Sequence, residues 1–296
     1  MKVLVTGSKG FVGQWLIAHL EEQGDEVIGL DTEVDITEPA GLRDVVTTAA
    51  PDAICHLAAL ASVGASWGAS EATYQVNTVG TANVLDAALA CAARPRVLLI
   101  SSSEVYGRVT PADLPLGEDR PFAPVSPYAA SKAAAELIGL QAWLGSGLEV
   151  VRARPFNHTG PGQRRDFVVP ALAAQVAQAA QAGSDGLHTG NLDARRDLSD
   201  VRDVVRAYRL LLTDGQAGAV YNVCRGEAVS IRAIAERLLA IAGLDLPIVV
   251  DAERLRPVEI PELRGDPTRI GGAVGWEPVY DLERTLADVL AFWQHG

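Results

Sequence analysis

The chain has 296 residues, 48% of them hydrophobic and 21% charged, an ordinary globular composition, long enough for one large domain or a domain with an appended lobe. A formal net charge of −12 excludes a broad nucleic-acid surface, which needs clustered Lys and Arg, yet a few local arginines could still hold a diphosphate. Cys55, Cys91 and Cys224 are far apart and odd in number, which excludes a disulfide framework and leaves no spacing for a metal site.

The first strand, Lys2–Thr6, is followed by a helical pattern over Phe11–Gln23, then a strand over Glu26–Leu30 and a helix over Leu42–Ala50. Ala53–Leu57 and Arg96–Ser101 continue the strand series around a long helix at Thr73–Cys91. Pro127–Leu144 gives a further helix and Leu148–Arg152 a fifth strand. These strands are short, rich in Val, Ile and Leu, and lack polar alternation, as expected of strands buried on both faces. The alternation predicts an α/β fold, a Rossmann-type doubly wound parallel sheet, with a smaller α/β C-terminal substrate-binding lobe. Residues 1–156 form the dinucleotide-binding part, to which 198–224 return, and 157–296 are mainly the lobe. Its helices are predicted at Val168–Ala182, Val201–Leu212, Ile231–Ala242 and Leu282–Trp293, with a strand at Ala219–Cys224 and Gly-, Pro- and Arg-rich segments between them. No apolar run reaches the roughly 18 residues needed to cross a bilayer, and Met1-Lys2-Val3-Leu4-Val5-Thr6-Gly7 breaks too early for a signal peptide. No membrane partner and a cytoplasmic location are expected.

Thr6-Gly7-Ser8-Lys9-Gly10-Phe11-Val12-Gly13 joins the first strand to the first helix. Gly7 permits the tight turn, Gly10 lets backbone approach a pyrophosphate, and Gly13 lets helix pack on strand. The helix N-terminus then offers free N–H groups to the anion. Alone, such a pattern also suits a glycine-rich turn; its strand-turn-helix setting favours a dinucleotide. Asp31, at the end of the second strand, suits the hydrogen bonds of an adenosine ribose, though aspartate also begins turns. Lys9 would suit a 2′-phosphate. The balance favours NAD(H), with NADP(H) the alternative.

Tyr128-Ala-Ala-Ser-Lys132 sets a phenol and an ammonium four apart on one helix face. An adjacent positive charge and a cationic nicotinamide lower the cost of a phenolate and are expected to bring Tyr128 into the range of a useful acid or base. Ser101-Ser102-Ser103-Glu104-Val105-Tyr106-Gly107 closes the fourth strand, and ligands gather at strand C-termini in open parallel sheets.

Taken in order, the glycine loop, Leu57-Ala58-Ala59, Asn77-Thr-Val-Gly80-Thr81, the SSSEVYG run, the Tyr128/Lys132 pair and Arg154-Pro155-Phe156-Asn157 resemble the extended short-chain dehydrogenases over nearly the whole chain. The resemblance implies a catalytic set of Ser102, Tyr128 and Lys132, with Glu104 an additional candidate. It places Gly7, Gly10, Phe11, Val12, Gly13, Asp31, Asp35, Ile36, Leu57, Ala58, Ala59, Asn77, Tyr128, Lys132, Pro155 and Phe156 along the cofactor. Ser103 and Asn157 would meet the substrate. No metal is implied.

Arg154-Pro-Phe-Asn-His158-Thr-Gly-Pro-Gly-Gln163, Arg196-Asp197-Leu-Ser-Asp200, Tyr221-Asn-Val-Cys224 and Arg256-Pro-Val-Glu259 look like the branch of GDP-mannose 4,6-dehydratases and GDP-4-keto-6-deoxy-mannose reductases. There Arg196 and Arg256 would hold the diphosphate and Glu259 the guanosine ribose; as plain chemistry, these segments could also be loops held by Arg–Asp pairs. Ser103-Glu104 fits a dehydratase, which needs a base for the C5 proton. Ser102 in place of threonine, and a segment after Leu30 too short for the dehydratases' loop, fit a reductase of the C4 ketone. Reduction to a GDP-6-deoxyhexose such as GDP-rhamnose is the expectation, and dehydration or epimerisation the alternative. A dinucleotide-binding sensor is disfavoured because it would not need the proton-transfer groups. The resemblance also implies a homodimer through the helices at Thr73–Cys91 and Pro127–Leu144.

Overall fold

A computed structural model describes residues 1–252 and 260–295. Six parallel strands form the central sheet: β1 (Lys2–Thr6), β2 (Glu26–Leu30), β3 (Ala53–His56), β4 (Arg96–Ile100), β5 (Val150–Pro155) and β9 (Val220–Val223). Their order is β2-β1-β3-β4-β5-β9, with β1 at the switch point where successive crossovers change direction. Side chains alternate between two cores, as the strand repeat of two demands. Val3 and Val5 join Leu16 and Leu20 of α1 (Phe11–Glu22) and Val204, Tyr208 and Leu211 of α8 (Val201–Asp214). Leu4 and Ile54 turn the other way, onto Leu42 and Val46 of α2 (Pro39–Ala49) and Val84 and Ala88 of α5 (Gly80–Ala90).

The expected single helix over Thr73–Cys91 is instead three pieces after the short α3 (Val63–Ser66). These are α4 (Ser70–Tyr74), a π-helical turn at Gln75–Val79, and α5. A π turn inserts one residue into the helical repeat and re-aims the side chains that follow; here it carries Asn77. Helix α6 (Pro127–Ser146), which carries Tyr128 and Lys132, starts under a Ser126 cap that accepts the Ala129 N–H at 3.1 Å.

The remaining chain builds a second layer. Strand β8 (Arg195–Asp200) lies at the centre of β10 (Ala228–Ser230), β8 and β12 (Glu262–Leu263), and β6 (Asn157–Thr159) pairs with β8 as well. β7 (Leu187–Thr189) pairs with β11 (Ile248–Val250). Helices α7 (Val168–Ala182), α9 (Ile231–Ala242) and α11 (Leu282–His295) share one apolar cluster, with Leu172, Val176, Ile234, Leu238, Leu286 and Val289 at its centre. The short α10 (Thr268–Val274) packs Ile270 against the central-sheet core. Several strands thus arise inside segments that read only as Gly-, Pro- and Arg-rich connections. Trp15 of α1 reaches across to the Pro161 carbonyl at 3.1 Å, fastening the loop after β6 to the dinucleotide helix. No helix among the described residues is long and apolar enough to cross a membrane.

Candidate active site

β1 delivers the chain into a turn at Gly7, where φ is +70° and a Cβ would lie 2.9 Å from the Ala58 amide nitrogen. A side chain there is excluded by both conformation and space. At Gly13 a Cβ would approach the Gly7 carbonyl to 2.3 Å, so α1 can begin hard against the turn only as glycine. Gly10 caps the helix with no side chain, and the helical ladder opens with Gln14 N–H to the Gly10 carbonyl at 3.0 Å. The N–H groups of Phe11, Val12 and Gly13 therefore precede the ladder and face outward from the positive helix end. A cradle stripped of side chains and rimmed by main-chain donors fits a dinucleotide pyrophosphate.

Asp31 stands directly after β2, and its carboxylate accepts the Lys9 backbone N–H of this loop at 2.7 Å. The Lys9 ammonium lies 2.8 Å from Glu33, so the loop's one lysine is matched by a carboxylate while Asp31 adds another. Asp35 spends its carboxylate on the Thr37 N–H and hydroxyl, both at 2.8 Å. Ile36 is buried against Gly80, so its side chain serves the core. Leu57, Ala58 and Ala59 follow β3 beside the glycine turn; the Leu57 and Ala58 N–H groups donate to the Thr6 carbonyl and hydroxyl, each at 3.2 Å.

The expected catalytic residues converge at the C-terminal edge of the sheet. Ser102 caps the 3-10 turn Ser103–Tyr106, accepting the Glu104 N–H at 3.2 Å, and Ser103 is buried in the same turn. Tyr128 sits in the first turn of α6, its N–H donating to Ser66 Oγ at 3.2 Å. Lys132 follows one turn later and donates to the Ile100 carbonyl at 2.8 Å. Burial pushes the Tyr128 phenol up to about 12; its hydrogen bond with Ser102 pulls downward, and the Glu104 charge raises it. Burial also lowers Lys132 to about 8. The ammonium alone therefore does not bring the phenol down; the expected lowering also called on a cationic nicotinamide. Desolvation dominates, and Lys132 spends a proton on the end of β4. Tyr128 is held as a protonated acid at neutral pH, the state from which a proton can be given.

Asn77 is the hub behind this pair. Its side chain donates to the Leu60 carbonyl at 3.1 Å and to Ser131 Oγ at 3.0 Å, and it accepts the Leu60 N–H at 2.8 Å. A further buried set, Thr6, His56, Thr81 and Ser131, was not singled out by the sequence reading. The one available signal was a histidine directly ahead of Leu57-Ala58-Ala59, in a strand otherwise apolar.

Other assignments fare differently. Pro155 ends β5 in register with Val223. Phe156 belongs to the core: its ring is buried 6.2 Å from Tyr106, with Leu116, Cys224 and Leu263 around it. Its N–H donates to Val223, and its carbonyl meets the His158 ring at 3.0 Å. The ring is thus held in this cluster, and a place for Phe156 along the cofactor stays an expectation of the resemblance. Asn157 is exposed at the start of β6. The Arg196 guanidinium is buried and donates to the Arg195 and Ile260 carbonyls at 2.9 Å, so it already braces the chain that a diphosphate would compete for. Arg256 and Glu259 lie outside the described residues.

The family model of GDP-mannose 4,6 dehydratase matches residues 31–289. The chain belongs to this family. Its members' fold is the Rossmann-type α/β fold seen here, and the protein is an NAD(P)-dependent oxidoreductase of the extended short-chain dehydrogenase type. Within the family, the chain is 40% identical over 296 residues to the GDP-6-deoxy-D-mannose reductase of Pseudomonas aeruginosa, covering 99% of this chain and 97% of that protein. It is 33% identical over 279 residues to the GDP-6-deoxy-D-talose 4-dehydrogenase of Aggregatibacter actinomycetemcomitans, covering 93% and 92%. The solved structure of RMD from Pseudomonas aeruginosa, complexed with NADPH, superimposes with a TM-score of 0.92 at 40% identity over 99% of each chain.

Proposed function

We propose that the protein reduces the C4 ketone of a GDP-linked 4-keto-6-deoxyhexose, giving a GDP-6-deoxyhexose such as GDP-rhamnose. The observation that carries this reading is the convergence of Ser102, Tyr128 and Lys132 at the strand ends, in a chain similar throughout to a reductase of that type. The reduced nicotinamide, when bound along the glycine loop, supplies the hydride. Tyr128 donates its proton to the forming C4 alkoxide, and Ser102 hydrogen-bonds the same oxygen. The Lys132 charge favours the tyrosinate left behind. Residues 1–156 with 198–224 hold the cofactor, and the rest of 157–296 receives the sugar nucleotide.

Glu104 favours a second reading. Its carboxylate lies close enough to act on the Tyr128 phenol, where a 4,6-dehydratase would need a base for C5–H. Two incubations separate them. With GDP-mannose and oxidised cofactor a reductase gives no change; with GDP-4-keto-6-deoxy-mannose and NADH it consumes the NADH. Glu104→Gln should abolish dehydration, and it should spare reduction, which breaks no C–H bond of the sugar. Conversion of GDP-mannose to the 4-keto sugar by the protein alone would replace this proposal with the second reading.

The cofactor proposal is a preference for NADH. Two carboxylates lie at this loop, Asp31 on the Lys9 backbone N–H and Glu33 on its ammonium, an unfavourable field for a 2′-phosphate. Asp31→Ala should weaken NADH by about 1–3 kcal/mol and narrow the gap to NADPH. Fluorescence titration of both cofactors checks this; tighter NADPH binding by the native protein would move the ribose site to Lys9.

A homodimer is proposed through α4, α5 and α6. Tyr74 and Val79 on one side, and Leu137 and Leu144 on α6, are exposed large apolar side chains, Leu144 at 73%. A self-complementary apolar face of this kind suits a two-fold interface. Sedimentation at micromolar concentration should give twice the chain mass, and a monomer there would refute the interface.

A further inference from the structure

Five polar side chains, Thr6, His56, Asn77, Thr81 and Ser131, are sealed between the glycine-loop strand and the catalytic helix, each 2% exposed or less. Their hydrogen bonds form one continuous path. Thr6 Oγ1 meets His56 Nδ1 at 2.8 Å, and His56 Nε2 meets Thr81 Oγ1 at 3.0 Å. Thr81 Oγ1 donates to the Asn77 carbonyl at 2.7 Å. Asn77 Nδ2 donates to Ser131 Oγ, which donates to the Tyr128 carbonyl at 2.8 Å.

The path has a single proton order. Thr81 has one hydroxyl proton, and Asn77 receives it, so Thr81 can only accept from the imidazole. His56 must therefore carry its proton on Nε2. Nδ1 is then an acceptor for the Thr6 hydroxyl, whose oxygen in turn accepts the Ala58 N–H. Burial, with the Lys132 charge adding to it, drops His56 to about 3, so the ring stays neutral and the order is stable at every working pH. An imidazole is suited to this place because it offers an acceptor and a donor on opposite edges of one rigid ring.

We propose that His56 is a positioning residue that ties the cofactor loop to the catalytic helix. On one side it fixes Thr6, from which the glycine turn and Ala58 are hung. On the other it fixes the π turn through Thr81, and so the aim of Asn77. Asn77 holds both main-chain groups of Leu60 and the Ser131 hydroxyl, placing the loop after β3 and the first turn of α6 in one frame. This inference rests on the reductase reading for its kinetic arm alone.

The test compares variants that keep one half of the path. The amide of a glutamine reaches the place of Nε2 and can keep Thr81; that of an asparagine reaches only the place of Nδ1 and keeps Thr6. His56→Asn, which keeps Thr6, should therefore hold NADH within a few-fold and lower kcat by about tenfold to a hundredfold, the range for a catalytic group misplaced by about an ångström. His56→Gln, which keeps Thr81, should hold kcat within a few-fold and weaken NADH several-fold. Thr81→Val, which preserves shape but removes the hydroxyl, should reproduce the loss of kcat, and Thr81→Ser should recover it. These isosteric changes keep the test open if a histidine variant does not fold. Native kcat in both His56→Asn and Thr81→Val, or native NADH affinity in His56→Gln, would overturn the proposal, as would losses that follow thermal stability alone in all four variants. If the native protein binds NADH but reduces no GDP-linked keto sugar, the reductase reading fails, and the NADH titrations still decide the coupling.

Discussion

Tyr128→Phe is expected to lower turnover of the keto sugar by about 10²–10⁴-fold, the usual range for loss of a positioned acid, with NADH titration nearly unchanged. The ring is buried at the start of α6, and the main-chain bond from its N–H to Ser66 survives the change. What disappears is the phenol's transferable proton. Ser102 and Lys132 would still polarise the ketone, so residual activity above background is expected. Single-turnover rates with NADH measure the effect apart from product release. Full activity in this variant would remove the catalytic assignment altogether.

Glu136→Gln is expected to give the largest loss of stability, about 3–5 kcal/mol, as when one member of a buried ion pair is removed. Glu136 is fully buried on α6 and receives Arg154 through Nη2 at 2.7 Å and Nε at 3.0 Å. Arg152 approaches the same carboxylate at 3.5 Å. Taking away the negative charge leaves two guanidinium groups of β5 inside the protein with no ion-pair partner among the described residues. The Arg154 bonds to Tyr106 and to the Glu118 carbonyl are too few to replace it. Urea unfolding of the native and variant proteins measures the difference; a shift below about 1 kcal/mol would mean that water or rearrangement reaches this site. Because the pair fastens α6 to the sheet one turn beyond Lys132, a fall in kcat should accompany the loss.

The strands β1, β3 and β4 were legible because each is a largely apolar run, buried on both faces, and β2 through its Val27-Ile28 pair and Leu30, although only Leu30 is fully buried. The fifth was placed too early, at Leu148–Arg152 rather than Val150–Pro155. Arg152 and Arg154 hide it: charge reads as surface, and only Glu136 across the packing layer makes it interior. β8 was missed for the same reason, since Arg195-Arg196-Asp197-Leu198-Ser199-Asp200 shows no apolar repeat. Asp197 there is buried and accepts main-chain N–H groups of Arg225, Gly226 and Gly265, partners far away in sequence. Among candidate site residues, the glycine turn and the Tyr128/Lys132 pair were legible through spacing, the serine run through its strand position, and Ser102 within that run only through the family resemblance. The π turn was not, because one inserted residue leaves an alanine-rich helical pattern almost unchanged. Phe156 entered through the family resemblance, and its packing with Tyr106, Leu116, Cys224 and Leu263 was not legible because those partners lie far away in sequence.

The route of the backbone between the two layers has a practical consequence for dissecting the molecule. After β5 the chain leaves the central sheet to build β6, α7, β7 and β8, and comes back for α8 and β9 before departing again. A fragment ending at residue 156 would keep the glycine loop, Tyr128 and Lys132, yet would lack β9 and α8. It would bare the hydrogen-bonding edge of β5 from Arg152 to Pro155 and the apolar face now covered by Val204, Tyr208 and Leu211. An unpaired edge beside an uncovered apolar surface is a template for aggregation. The catalytic half of this enzyme is therefore not expected to survive as an excised piece, and a protease cut in the loop between β6 and α7 should leave two polypeptides that stay associated until denatured.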